Sequence, residues 1–149
     1  MGVIIKNKNA YFSYQILEKF EAGVSLIGQE VKSIKSGRAS LKGAYVSVRN
    51  NEVFLINCTI PPYQPANAPQ NYNSARPRKL LLNRKEIRYL IGKTQEKGLT
   101  LVPLSVYTKK GKIKLEIALA KGKKKADKRE SIRKRDAERE IRRALKEEI

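Results

Sequence analysis

Fifteen consecutive positions, 121–135, hold nine Lys or Arg and two acidic residues. No compact core tolerates like charge at that density, because the side chains repel one another and must keep their water. The folded body therefore ends near Ala120, and a tail follows it. Residues 1–120 carry 20 basic and 7 acidic side chains within a sequence rich in Val, Ile, Leu and Tyr. Residues 136–149 are nearly neutral, with 4 basic and 5 acidic. The chain divides into a basic body of single-domain size, a very basic collar and a balanced end. A net charge of +19 on 149 residues makes a polyanion the expected partner.

Within the body, hydrophobic alternation predicts strands. Residues 11–26 read mostly as strand, with a break at Glu21-Ala22-Gly23. Residues 44–49 and 52–57 flank Asn50-Asn51, and Asn tolerates the positive φ of a two-residue hairpin turn. Residues 99–107 and 112–119 make a second hairpin around Lys109-Lys110-Gly111; its second arm alternates charged and apolar residues, as a half-buried strand does. Pro103 lacks an amide hydrogen and predicts an edge position or a bulge. One helix opens at Asn83, which has capping-box spacing to Glu86, carries Ile87, Leu90 and Ile91, and can close at Gly98. A shorter helix covers about Gln29–Ser36. Between them, residues 61–79 contain Pro61, Pro62, Pro65, Pro69 and Pro77 and predict a mobile loop with ordered ends. Many short strands and few helices make the chain mainly β, and a small antiparallel OB-type barrel with two short flanking helices fits best.

Composition removes several classes of chemistry. The chain has no His, which excludes His-based acid–base, triad and metal sites. A single Cys excludes an internal disulfide and any Cys-cluster zinc site; Cys58 follows an apolar run and reads as a small buried hydrophobe. The body carboxylates are scattered without a paired motif, and no glycine-rich loop has phosphate-cradling spacing. A binding protein without cofactor or metal is expected, not an enzyme. No apolar run reaches the roughly 18–20 residues of a membrane span, and the N-terminus has no signal-peptide core, so a cytoplasmic location without a membrane partner is expected.

The basic residues form three groups. Lys32, Lys35, Arg38 and Lys42 follow or end the first helix; Arg76, Arg78, Lys79, Arg84, Lys85 and Arg88 straddle the proline loop and the second helix. Lys121, Lys123, Lys124, Lys125, Lys128 and Arg129 form the collar. Neutralising several phosphates releases counterions and gives salt-sensitive affinity. No helix-turn-helix, zinc-finger or basic-zipper pattern accompanies them, which favours structured RNA over duplex DNA. Tyr11, Phe12, Tyr14, Tyr63, Tyr72 and Tyr107 are candidates for stacking on unpaired bases or for the rim of the core. In the tail, Ala137, Ile141, Leu145 and Ile149 recur every four residues, a stripe too narrow for a stable free helix. A segment disordered alone and helical against RNA is expected there.

Four motifs then occur in order. They are Gly28-Gln29-Glu30-Val31-Lys32-Ser33-Ile34-Lys35, Arg78-Lys79-Leu80-Leu81-Leu82-Asn83, Lys97-Gly98-Leu99-Thr100-Leu101-Val102-Pro103-Leu104, and Ala118-Leu119-Ala120-Lys121-Gly122-Lys123-Lys124 with Asp127-Lys128-Arg129. Together they resemble the SmpB family, the SsrA-binding partners of bacterial tmRNA, from about Asn7 into the tail. The resemblance implies an OB-type barrel with a C-terminal tail, acting in trans-translation. The barrel would bind the tRNA-like domain of tmRNA near its elbow and stand in for the missing anticodon arm. The tail would read the empty decoding centre and mRNA channel of a stalled ribosome. By that likeness Glu30, Lys32, Ser33, Arg78, Lys79, Leu80 and Leu81 belong to the tmRNA face, with Leu80 to Leu82 also readable as core. Lys121, Lys123 and Lys124 would meet RNA where the chain leaves the barrel. Asp127, Lys128 and Arg129 would begin the ribosome-contacting tail, and Ile141 through Leu145 would line the channel. A monomer is expected, with tmRNA and the ribosome as partners.

Two positions depart from the family pattern. Ala126 stands where an aromatic or His usually precedes Asp-Lys-Arg, which excludes stacking there. Ala10-Tyr11-Phe12-Ser13-Tyr14 keeps the family's Tyr but lacks its His and acid. The alternatives are a structural OB-class ribosomal protein that binds rRNA, and an RNA-cleaving or RNA-modifying enzyme.

Overall fold

The structure is a computed structural model and describes residues 2–123 together with Arg133, Arg135, Asp136 and Arg139. In chain order the elements are β1 (Gly2–Lys6), α1 (Lys8–Ser13), β2 (Tyr14–Val24), α2 (Gly28–Lys35), β3 (Tyr45–Arg49), β4 (Glu52–Ile56), a 3₁₀ turn (Pro65–Asn67), β5 (Arg78–Leu81), α3 (Arg84–Thr94), β6 (Leu99–Lys109) and β7 (Lys112–Gly122). The strands make one antiparallel sheet in the order β1-β6-β7-β2-β5-β4-β3. The sheet curls so that β3 packs back towards β6, giving the expected barrel architecture.

Local chemistry accounts for most boundaries. Asn50 and Asn51 both have positive φ, 49° and 62°, and join Arg49 to Glu52 in the two-residue turn whose twist suits a hairpin. Lys110 and Gly111 do the same between Lys109 and Lys112. Asn83 Oδ1 accepts the Glu86 amide at 2.8 Å and Glu86 returns the bond to the Asn83 amide, so the capping box forms. The helix it starts stops at Thr94, and Gly98, with φ of 83°, then turns the chain into β6.

The inner face of the sheet forms the main core. Leu115, Ile117 and Leu119 of β7 pack with Leu101 and Val106 of β6, Val53 and Leu55 of β4, Leu80 of β5 and Leu90 of α3. A second, smaller core lies outside the sheet, where Ala10 of α1 covers Val102, Leu104, Ala118 and Ala120. The two β7 alanines are buried in the same cluster as Ala10, where small side chains let the layers pack without voids. β7 itself runs on to Gly122, past Ala120.

Two local expectations change. Tyr11 to Ser13 belong to α1, although aromatic residues favour strands; burial of Ala10 against the β7 alanines outweighs that preference. β2 runs unbroken through Glu21, Ala22 and Gly23, which pair with Glu116, Leu115 and Lys114, and its irregularity falls at Ile16/Glu18 instead. Pro103 marks a bulge, one of the two outcomes expected of it, between Pro103 and Ser105 in the interior strand β6. Its carbonyl takes a 2.8 Å bond from Asn7 Nδ2, just past the end of β1.

Candidate nucleic-acid interface

The residues expected to meet RNA fall into two groups, set by β2. Near its C-terminal end, Gly23 pairs with Leu81 of β5; near its start, Gln15 pairs with Lys121 of β7. Eight residue steps at about 3.3 Å each separate these points by roughly 26 Å.

The first group is organised by a buried carboxylate. Glu30 sits in the first turn of α2, where its Oε1 accepts the Ile27 amide at 3.0 Å and so caps the helix. It is fully buried, as is Arg78. Arg78 donates through Nη2 to Glu30 Oε2 at 2.5 Å and through Nε at 2.9 Å, and also to the carbonyls of Cys58 and Ser74. Arg76, partly exposed, forms a second ion pair with Glu30. The Tyr72 hydroxyl donates to the Ile60 carbonyl at 2.7 Å and accepts from Arg78 at 3.2 Å. Burial by itself would raise the Glu30 carboxyl, but hydrogen bonds from Arg76, the Ile27 amide and Arg78 outweigh it and hold the group below its ordinary value. Two guanidiniums against one carboxylate leave one positive charge over, on the side where Arg76 reaches solvent.

This network ties helix, loop and strand together. The proline loop, expected to be mobile, is pinned by it and by further bonds: Ile60 N–H to the Ser74 carbonyl, Gln64 N–H to Gln29 Oε1, and Arg38 to the Tyr63 carbonyl. Arg38 also lies over the Tyr63 ring, 5.5 Å from its centroid.

On this frame Lys32 and Lys79 are exposed, and Leu81 is 54% exposed. Leu81 lies across Gly23, whose missing side chain leaves it room: a Cβ there would come 3.2 Å from Leu81 Cβ. Leu80 points the other way, into the core, as alternation along β5 requires. Ser33 is buried, and its hydroxyl has no hydrogen-bond partner among the described residues. Glu30, Ser33, Arg78 and Leu80 therefore lie beneath the surface, while Lys32, Lys79 and Leu81 lie on it. Lys79 Nζ stands 3.5 Å from Glu52, an exposed pair of small energetic weight.

The second group lies where β7 ends. Lys121 is exposed, and Lys123 donates through Nζ to the Tyr11 carbonyl at 3.0 Å and through its amide to the Ser13 carbonyl, which ties the end of β7 to α1. Lys124, Asp127, Lys128, Arg129, Ile141 and Leu145 lie outside the described residues.

Of the aromatic candidates, Tyr107 is buried with its hydroxyl on Glu21, and Tyr72 belongs to the Glu30 network. The structural role of Tyr72 and Arg76 carries no motif in the sequence; the one pointer was a lone carboxylate, Glu30, among basic residues. Among the described residues no cluster of His, Cys, Asp or Glu is suited to a metal ion, and no helix is long and apolar enough to cross a membrane.

Comparison with known proteins extends over almost the whole chain. The model of the SmpB protein family matches residues 4–147. An SsrA-binding protein of Acaryochloris marina is 53% identical over 144 residues, covering 97% of this chain and 94% of that protein. Another, from Sulfurihydrogenibium, is 52% identical and covers 99% of this chain and 96% of its own length. Among solved structures, a chain from "tmRNA-SmpB: a journey to the center of the bacterial ribosome" is 40% identical, with a TM-score of 0.68, covering 89% of this chain and 96% of that one. A fold, a set of ordered motifs and a family model that agree from the first strand into the tail leave one assignment: the chain belongs to the SmpB family.

Proposed function

We propose that the protein binds tmRNA and delivers it to stalled ribosomes for trans-translation, as a non-catalytic monomer acting in the cytoplasm. The observation that carries this reading is the likeness to SsrA-binding proteins across nearly the full length of both chains. The barrel supplies a rigid cationic body in place of an anticodon arm. In the first group, Lys32, Lys79 and the exposed Leu81 touch RNA, while Glu30, Arg78 and Arg76 hold their supports in register. Lys121, Lys123 and Lys124 meet phosphates at the other end, where no special geometry is needed. Asp127, Lys128 and Arg129 lead the tail into the decoding centre, and the Ile141–Leu145 stretch becomes helical in the mRNA channel.

Two measurements test this. Tight binding of tmRNA that resists competition by ribosomal RNA supports it; equal binding of both RNAs overturns it in favour of a structural ribosomal protein. Truncation after Lys125 should leave tmRNA affinity nearly intact while abolishing tagging of stalled chains. Parallel loss of both would contradict the division of labour between barrel and tail.

A further inference from the structure

Tyr11 is an aromatic side chain that the folded body does not use. It is 38% exposed and belongs to neither core. Two ammonium groups stand over its ring, Lys6 Nζ at 5.6 Å and Lys19 Nζ at 5.8 Å from the centroid. Those distances are near the outer limit of a cation–π contact, so the lysines cap the ring loosely. Beside the ring a cleft of about 540 Å³ opens on β1, β6, β7 and β2, with Val3, Phe20, Ser105 and Tyr107 among its lining. That volume is in the range of small-ligand sites.

The charges around the cleft are arranged in favour of an anion. Glu21 is occupied by the Tyr107 hydroxyl at 2.5 Å and by Lys109 at 3.3 Å, and Glu116 lies 3.9 Å from Lys19. Lys6 has no carboxylate partner among the described residues. Three lysines against two carboxylates repel a basic segment, and an exposed ring between lysines adds what a purely acidic ligand does not exploit.

We infer that Tyr11, with Lys6 and Lys19, forms a binding site for one unpaired nucleotide of an RNA strand. The base takes the place of one ammonium over the Tyr11 ring, and the displaced lysine pairs with that nucleotide's phosphate. One aromatic ring thus supplies stacking and the same two lysines supply charge, the combination by which single strands are held without sequence preference. The site shares no residue with the α2–β5 group, and it touches the collar only where Lys123 donates to the Tyr11 carbonyl, which leaves the Tyr11 ring free for a contact of its own.

The test uses the full chain carrying ¹³C-labelled tyrosine, titrated with an oligoadenylate hexamer, an abasic strand of equal length and a hexaglutamate peptide. The Tyr11 ring signals should shift with the hexamer and stay near their free positions with the other two. The hexamer should bind about tenfold more tightly than the abasic strand, a preference that Tyr11→Leu reduces at least about threefold and Tyr11→Phe preserves. An unchanged preference in the Leu variant overturns the inference. So do Tyr11 shifts of equal size with the abasic strand, which would show charge alone, or with hexaglutamate, which would show an acidic-peptide site.

Discussion

Arg78 Nη2 and Glu30 Oε2 meet at 2.5 Å where β5 passes α2, and neither side chain reaches water. Removing one partner of such a pair leaves the other charge buried and uncompensated. Glu30→Ala should destabilise the protein by about 3–5 kcal/mol, read as a fall in the urea midpoint. Glu52→Ala, which removes the exposed partner of Lys79, should cost less than about 1 kcal/mol. Equal effects from the two would show that the buried network does not hold the fold.

The same carboxylate gives stability a defined dependence on pH. Its proton is bound less tightly in the folded chain than at the ordinary value of 4.5. Folded protein therefore binds fewer protons than unfolded protein in that range, and stability rises with pH there. The contribution is complete above the unfolded value and is lost as pH falls through the lower, folded one. Urea denaturation followed from about pH 7 to pH 3 should show this decline in the wild type and a flatter one in Glu30→Gln.

Cys58 provides an independent probe of the network, because its carbonyl accepts a bond from Arg78. Burial pushes its thiol from 9.0 up to about 11, against the pull of the Arg78 charge. The native protein should react with a disulfide reagent at neutral pH far more slowly than unfolded protein, since the thiolate is the nucleophile. Arg78→Met should accelerate the reaction by loosening the chain around Cys58. A native rate equal to the unfolded rate would contradict the buried placement.

Gly23 and Leu81 permit a test of RNA contact that leaves charge unchanged. In Gly23→Ala the new methyl comes 3.2 Å from Leu81 Cβ, so β5 and its Leu81 must shift by a few tenths of an ångström, at a cost of about 1 kcal/mol. tmRNA affinity should fall severalfold although residue 23 itself offers RNA nothing. Leu81→Ala should reduce affinity similarly with little change in stability. Unaltered affinity in both single variants would remove Leu81 from the interface.

The hairpins, the Asn83 cap and the alternating β7 strand were legible in the sequence because each rests on local chemistry. α1 was not, since what decides it is contact between Ala10 and two alanines over a hundred residues away. Residue chemistry also gave no indication that Glu30 and Arg78 share one buried network. Their burial depends on Tyr72 and Ser74 from a loop whose prolines suggested freedom, and on Cys58 just before it. Lys32, Lys79 and Lys121 were easier to place, because a surface lysine needs no partner to remain at the surface.

The eleven-residue strand β2, paired to β7 over most of its length and to β5 at its far end, separates the two cationic groups by a length that bending can hardly alter. The barrel in this sense is a strut. RNA seated at the Leu81 end, as proposed, would fix where the Lys121 end must lie, so that a contact at one end of the strand sets the position of the other.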